Sequence, residues 1–235
     1  MNKTKHVNNT VMKPEVPDDF DRPTSDTVIY ESKKVSVGHI AQLSIFYAGL
    51  MASFNNIKRE LDKFPPAKTC LEYRPELYPI VLNELRKNAI TGLFHLWLRN
   101  LQDYFAMGGN AVNTNKYKIL TTGYEYMLWL FKDITALQLC IPTLEKYGCL
   151  TNAIKHGKGP SFDKLECFYT EFFCEPTEYV TSDKKWGLDD VSIVNPPFVT
   201  QEHIEELFNA TIDFWNNVPE RLSINVQQKL NEWRK

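Results

Sequence analysis

The stretch from Tyr78 to Met107 limits the possible folds more than any other part of the chain. Leu82, Leu85, Ala89, Leu93, Leu96, Trp97, Leu101 and Phe105 recur mostly at three- and four-residue steps, the period of an α-helix. The polar residues Thr91, His95, Arg99 and Gln102 occupy a narrow stripe. A helix apolar around most of its girth must be covered on several sides, so this segment is expected at the centre of a helical bundle. Pro79 suits its first turn, where a missing N–H costs nothing, and Gly108-Gly109-Asn110 ends it.

Other helices can be placed around it. Ile40, Leu43, Phe46, Tyr47, Leu50, Phe54, Ile57 and Leu61 predict a helix from Ser36 to Phe64, stopped by Pro65-Pro66. After a polar loop from Ala111 to Gly123, Tyr124 to Phe131 is strongly apolar. Asp133 or Thr135 is the expected cap of the next helix, which Pro142 kinks or restarts. Leu144, Tyr147, Leu150 and Ile154 mark its buried side, and Gly157 stands where a C-terminal cap glycine belongs. Ser161 is the expected cap of a helix through Phe173, and Thr200 of one carrying Ile204, Leu207, Phe208 and Trp215 up to Pro219. Val28-Ile29-Tyr30 reads as a short strand or an extended docking segment; Tyr179-Val180-Thr181 and Val191 to Val194 read as a small hairpin.

The domain reading is therefore a flexible arm over 1–27, a helical bundle over 28–219 and a tail helix over 220–235. A hydrophobic share of 43% can fill such a core, and a net charge of −2 gives no global attraction to nucleic acid or acidic lipid. The N-terminal residues lack the apolar run of an export signal. The longest apolar stretch, Ile40 to Phe54, is interrupted by Gln42, Ser44, Gly49 and Ser53 and falls short of the roughly 20 residues of a membrane helix. Cys70, Cys140, Cys149, Cys167 and Cys174 are odd in number and show no CxxC spacing, so free thiols in a reducing cytoplasm are expected and no zinc site. No phosphate-binding loop, dinucleotide turn, nucleophile elbow or HExxH pair occurs. No cofactor, metal or membrane association is expected.

One histidine has informative company. In Thr151-Asn152-Ala153-Ile154-Lys155-His156-Gly157-Lys158-Gly159, Asn152 and His156 lie four apart and share a helix face, with Glu145 and Cys149 earlier on that face. Histidine suits proton transfer near neutral pH, with Asn152 placed to orient it. Plain decoration of a helix C-terminus by Lys155, His156 and Lys158 accounts for the same residues.

The fragment Leu150 to Gly157 resembles the last core helix of HEPN domains, helical bundles of bacterial toxin–antitoxin and antiphage systems. The resemblance is specific over Leu150 to Gly159. It implies an all-α, HEPN-like helical bundle, here with an N-terminal arm and a C-terminal helical extension. It further implies metal-independent RNA cleavage across a homodimer that pairs two motifs, with His156 and Asn152 catalytic. Lys155, Lys158 and Arg99 are the candidate substrate-binding cations. Thr151 stands where the family places an arginine, which could stabilise a developing phosphorane. Three functional classes follow: a degenerate ribonuclease of a prokaryotic defence or toxin–antitoxin system, a non-catalytic interaction or immunity protein binding a protein partner, or a small-molecule or nucleotide sensor using a cleft between helices.

Overall fold

The computed structural model describes residues 27–31, 33–61, 77–107, 124–174, 176, 195–219, 221–225 and 232. The fold is all-α. Among the described residues, six helices run α1 (Lys33–Leu61), α2 (Leu77–Met107), α3 (Tyr124–Phe131), α4 (Cys140–His156), α5 (Pro160–Phe168) and α6 (Gln201–Asn217). Single 3-10 turns at Thr135–Leu137 and Thr170–Phe173 precede α4 and follow α5. A two-stranded antiparallel ribbon joins β1 (Thr27–Glu31) to β2 (Arg221–Asn225), with Thr27 opposite Asn225 and Glu31 opposite Arg221. Val28-Ile29-Tyr30 is thus a strand. Its partner occupies the first part of the segment expected as a tail helix: a strand edge at β1 offers backbone groups that a nearby extended segment satisfies. The expected hairpin over 179–194 lies outside the described residues.

Local signals set most helix ends. Pro79 lies in the first turn of α2, and Gly157 takes a left-handed φ of 70° as it donates its N–H to the Ala153 carbonyl. Thr200 caps α6: its Oγ1 accepts from the His203 N–H at 3.4 Å, and its own N–H donates to His203 Nδ1 at 3.1 Å. Here a histidine fills the place usually held by Glu or Gln in a capping box. Three expectations differ. Neither Asp133 nor Thr135 caps α4, because the chain first makes a tight 3-10 turn and α4 opens after Leu139 without a side-chain cap. Pro142 sits in the first turn of α4, where it neither kinks nor restarts anything. Ser161 is inside α5, which starts at Pro160 behind Gly159 and ends at Phe168.

The core is continuous across α1, α2, α3, α4, α5 and α6. The hub is α6, which packs against α1, α2 and α4, while α4 also packs against α2, α3 and α5. Leu93, Trp97, Leu101 and Phe105 of α2 are fully buried, as their spacing required, and His95 and Arg99 face outward. Nine of the 17 residues of α4 are buried, and in the polar stripe of α2 His95 and Arg99 are exposed while Thr91 and Gln102 are half-buried. Far-apart segments are tied by polar clamps. Asn83 accepts from the Val199 N–H at 2.8 Å and donates to the Pro197 carbonyl at 3.3 Å, while Lys87 donates to the Asn195 carbonyl at 3.2 Å. These bonds lay the segment before α6 onto the start of α2.

One expectation about apolar length changes. The 22 residues from Ser36 to Ile57 form a helix long and apolar enough by composition to cross a membrane, with only 11% of the window buried. Gln42, Ser44, Gly49 and Ser53 interrupt the run without adding charge, and no charged residue occurs between His39 and Lys58. In the bundle this helix turns Leu43 and part of Phe46, Tyr47 and Leu50 toward the core and leaves Val37 and Ile45 exposed.

Leu93→Ala should destabilise the protein by about 2–5 kcal/mol through lost burial and the cavity left behind. Ile45→Ala, at a site 74% exposed, should change stability by less than about 0.5 kcal/mol. Chemical denaturation of both variants checks the contrast.

Candidate functional site

Along α4, the face carrying Glu145, Cys149, Asn152 and His156 passes from covered to open. Cys149 is buried under the start of α5 and donates its thiol to the Ser161 carbonyl at 3.2 Å. Glu145 and Asn152 are half-buried, and His156 is exposed. Burial pushes the Cys149 thiol up to about 11, so it stays protonated near neutral pH and is a poor nucleophile. Burial also raises the Glu145 carboxyl above its usual range; the Lys164 charge opposes this and Glu125 adds to it. Tyr124 completes this neighbourhood, donating to Glu125 Oε1 at 3.3 Å. Its ring lies against Gly148, where a side chain would collide with it.

The cationic candidates sit at the open end. Lys155, His156 and Lys158 are exposed around the α4 C-terminus, where the helix dipole favours positive charge. Lys155 also reaches α2: after partial burial, its charge is the next cause holding His95 below the ordinary histidine value. Arg99 is exposed one helical turn further along α2. The structure thus brings His95 within the field of Lys155 and leaves His156 in solvent. Asn152 and His156 make no hydrogen bond with each other in this arrangement. Thr151, the residue at the arginine position of the resembled motif, is 1% exposed, and its Oγ1 has no hydrogen-bond partner among the described residues.

A second polar assembly went unnoticed in the sequence. Lys146 donates to both carboxylate oxygens of Glu206 at 2.6 and 2.7 Å and lies 3.6 Å from Glu171. The Tyr147 hydroxyl donates to Glu206 Oε2 at 2.8 Å. The Lys146 ammonium also sits over the Tyr147 ring at 5.0 Å, and His203 packs its ring on Phe172 at 4.7 Å. This assembly joins α4, α6 and the 3-10 turn at Thr170–Phe173. Its partners are 60 residues apart, so no local spacing reveals it. Glu206 also lines a groove of about 460 Å³ with Thr143, Asn209, Asp213 and Asn217. That groove lies between α4 and α6 and includes none of the candidate residues His156, Asn152, Lys155, Lys158 or Arg99.

Among the described residues, no three His, Cys, Asp or Glu side chains gather to hold a metal ion. Of the thiols there, Cys140 and Cys149 are free and buried, and Cys167 and Cys174 are free and exposed. Comparison with family models, characterised proteins and solved structures finds no match to this chain.

Removing the Lys146 ammonium leaves Glu206 with only the Tyr147 hydroxyl. Lys146→Met should therefore cost about 1.5–3 kcal/mol, and Lys146→Met with Glu206→Gln less than the sum of the two single losses. Denaturation of the four proteins in a double-mutant cycle measures that coupling.

Stability should also depend on pH in a definite direction. His39, His95 and His203 are all held below the ordinary value of 6.5, in each case first by burial. Their neutral forms are favoured in the fold. Their contributions are thus fully present above about pH 6.5 and are lost as pH falls through the folded values. Glu145, raised in the fold, acts oppositely in the carboxylate range. Denaturant midpoints should fall between about pH 7 and pH 5.5, where histidines alone dominate the change; a flat profile would contradict this assignment.

Proposed function

We propose that this chain is a non-catalytic helical interaction protein that binds an acidic protein partner through the cationic end of α4. Lys155, His156 and Lys158 form the centre of the surface, with His95 and Arg99 contributed by α2. The observation that carries this reading is the burial of Thr151. A ribonuclease of the HEPN type needs a guanidinium at that position, beside the histidine. Here the position points into the core, so even an arginine placed there would have to leave the interior to reach a phosphate. The exposed lysines are instead available for long-range attraction and for pairing at the rim of an interface. His156, in solvent, lacks the enclosure that tunes a catalytic acid or base.

A second reading has one observation in its favour: Asn152 and His156 share a face of α4, and Asn152 is half-buried below the exposed histidine. In that reading the chain is a degenerate, metal-independent ribonuclease of a defence or toxin–antitoxin system, completed by a second copy. Lys155, Lys158 and Arg99 would then hold RNA phosphates.

The two readings separate in one set of assays. Under the binding reading, purified protein leaves RNA intact and His156→Ala keeps the native folding midpoint. Lys155→Glu combined with Lys158→Glu should weaken partner capture about tenfold or more, equivalent to about 1.4 kcal/mol. Rising salt should weaken capture by the wild type in the same way. RNA cleavage that His156→Ala abolishes would establish the ribonuclease reading instead. Thr151→Arg should lower stability by on the order of 3 kcal/mol or more, because it forces a charge and a long side chain into a filled interior.

A further inference from the structure

We infer that His39 is an acid-sensitive latch holding the N-terminal half of α1 against α2 and α6. Although α1 spans 29 residues, only Ser36, His39 and Leu43 are buried among its described side chains. Its outer side is open: Val37 and Ile45 are exposed, and nothing lies within 4 Å of a side-chain carbon built at Gly38 or Gly49. One face therefore holds the whole helix. Further along, Tyr47 stacks on Phe208 at 4.1 Å and Leu50 and Phe54 touch the core. Toward the N-terminus, the buried side chains are Ser36, His39 and Leu43, with Ile40 packed beside them, and His39 is the one titratable group among these four.

That ring is seated in an apolar place. Its centroid is 4.5 Å from the Trp215 indole of α6, whose other side meets Tyr104 of α2 at 5.8 Å. His39 Nε2 is fully buried and has no hydrogen-bond partner among the described residues. A neutral imidazole tolerates this, since its unprotonated nitrogen requires no acceptor. An imidazolium carries N–H on both nitrogens, and a buried charged donor without an acceptor is costly. The groups acting on the ring are Asp103 from α2 and the uncharged Trp215 from α6. The Asp103 carboxylate favours the charged ring, but burial outweighs it and holds the imidazole below its ordinary value. Acidification is thus relieved most readily by moving the ring into water. The N-terminal half of α1 moves with it and uncovers Trp215. The Tyr47–Phe208 stack keeps the remainder attached, so release is local.

Hydrogen exchange read by mass spectrometry at about pH 7.5 and pH 5, corrected for intrinsic rates, tests the latch on the full chain. Protection over residues 36–47 should fall at least about tenfold more than protection over α4. In His39→Phe and His39→Gln, neither of which can take up the proton, the α1 segment should lose this extra pH dependence. The same extra dependence surviving in either folded variant would overturn the latch. NMR titration of the wild-type imidazoles decides the matter if neither variant folds. His39 titrating below 6.5 together with shifts in the Trp215 indole signal supports the latch, and His39 titrating at or above 6.5 overturns it.

Discussion

The packing of Phe214 and Trp215 into the middle of the bundle is the constraint on which the remaining geometry depends. Phe214 meets Trp97 edge-on at 5.4 Å and Phe131 at 5.1 Å, while Trp215 meets Tyr104 at 5.8 Å and His39 at 4.5 Å. One dipeptide near the end of α6 therefore touches α1, α2 and α3. Edge-to-face rings fix relative orientation as well as distance, which aliphatic contacts do less well. With α6 held in this way, α4 is located by the Lys146–Glu206–Tyr147 assembly, and the open end of α4 comes to rest beside α2.

This arrangement explains which parts of the fold were legible in the sequence. The helical period of Leu93, Trp97, Leu101 and Phe105 is a local pattern, and so are the glycine at 157 and the threonine at 200. Each reports a conformation that neighbouring residues enforce, and each is found where it was expected. The role of α6 was not legible. Its amphipathic pattern identifies a helix but not its partners, and the clamp that seats it, Asn83 with Val199, joins residues 116 apart. The fragment resembling a HEPN helix ends at Gly159, so α6 lies in the part that the resemblance treats as an extension. Physically that extension is the hub, because Ile204, Leu207, Phe214 and Trp215 complete the core left open by α1, α2 and α4.

The candidate site was legible to the same degree. Spacing correctly placed Asn152 and His156 on a different side of α4 from Leu144, Tyr147 and Leu150. It could not show that Cys149, on the same nominal face, is roofed by α5, because the turn at Gly157–Gly159 folds the chain back at an angle that composition does not specify. The burial of Thr151, by contrast, was within reach of spacing. On a helix, positions 147 and 151 are four apart and share a face, so the full burial of Tyr147 carries Thr151 into the core with it. The arginine of the resembled motif would occupy a place where this bundle holds a small hydroxyl.

Buried polar groups are common to the α4–α6 joint and the seat of α1. Lys146 is only 13% exposed, but its charge is met by two carboxylates and two aromatic faces, so it rigidifies the joint between α4 and α6. His39 is buried as deeply and has an aromatic face on one side with no acceptor for Nε2 among the described residues. A paired buried charge is held by its partners, whereas a buried titratable ring without an acceptor is stable there only while it remains neutral. The joint between α4 and α6 is therefore tied by a paired charge, whereas the start of α1 seats a ring that has to stay neutral. Anything binding beneath α1 would first have to displace that helix.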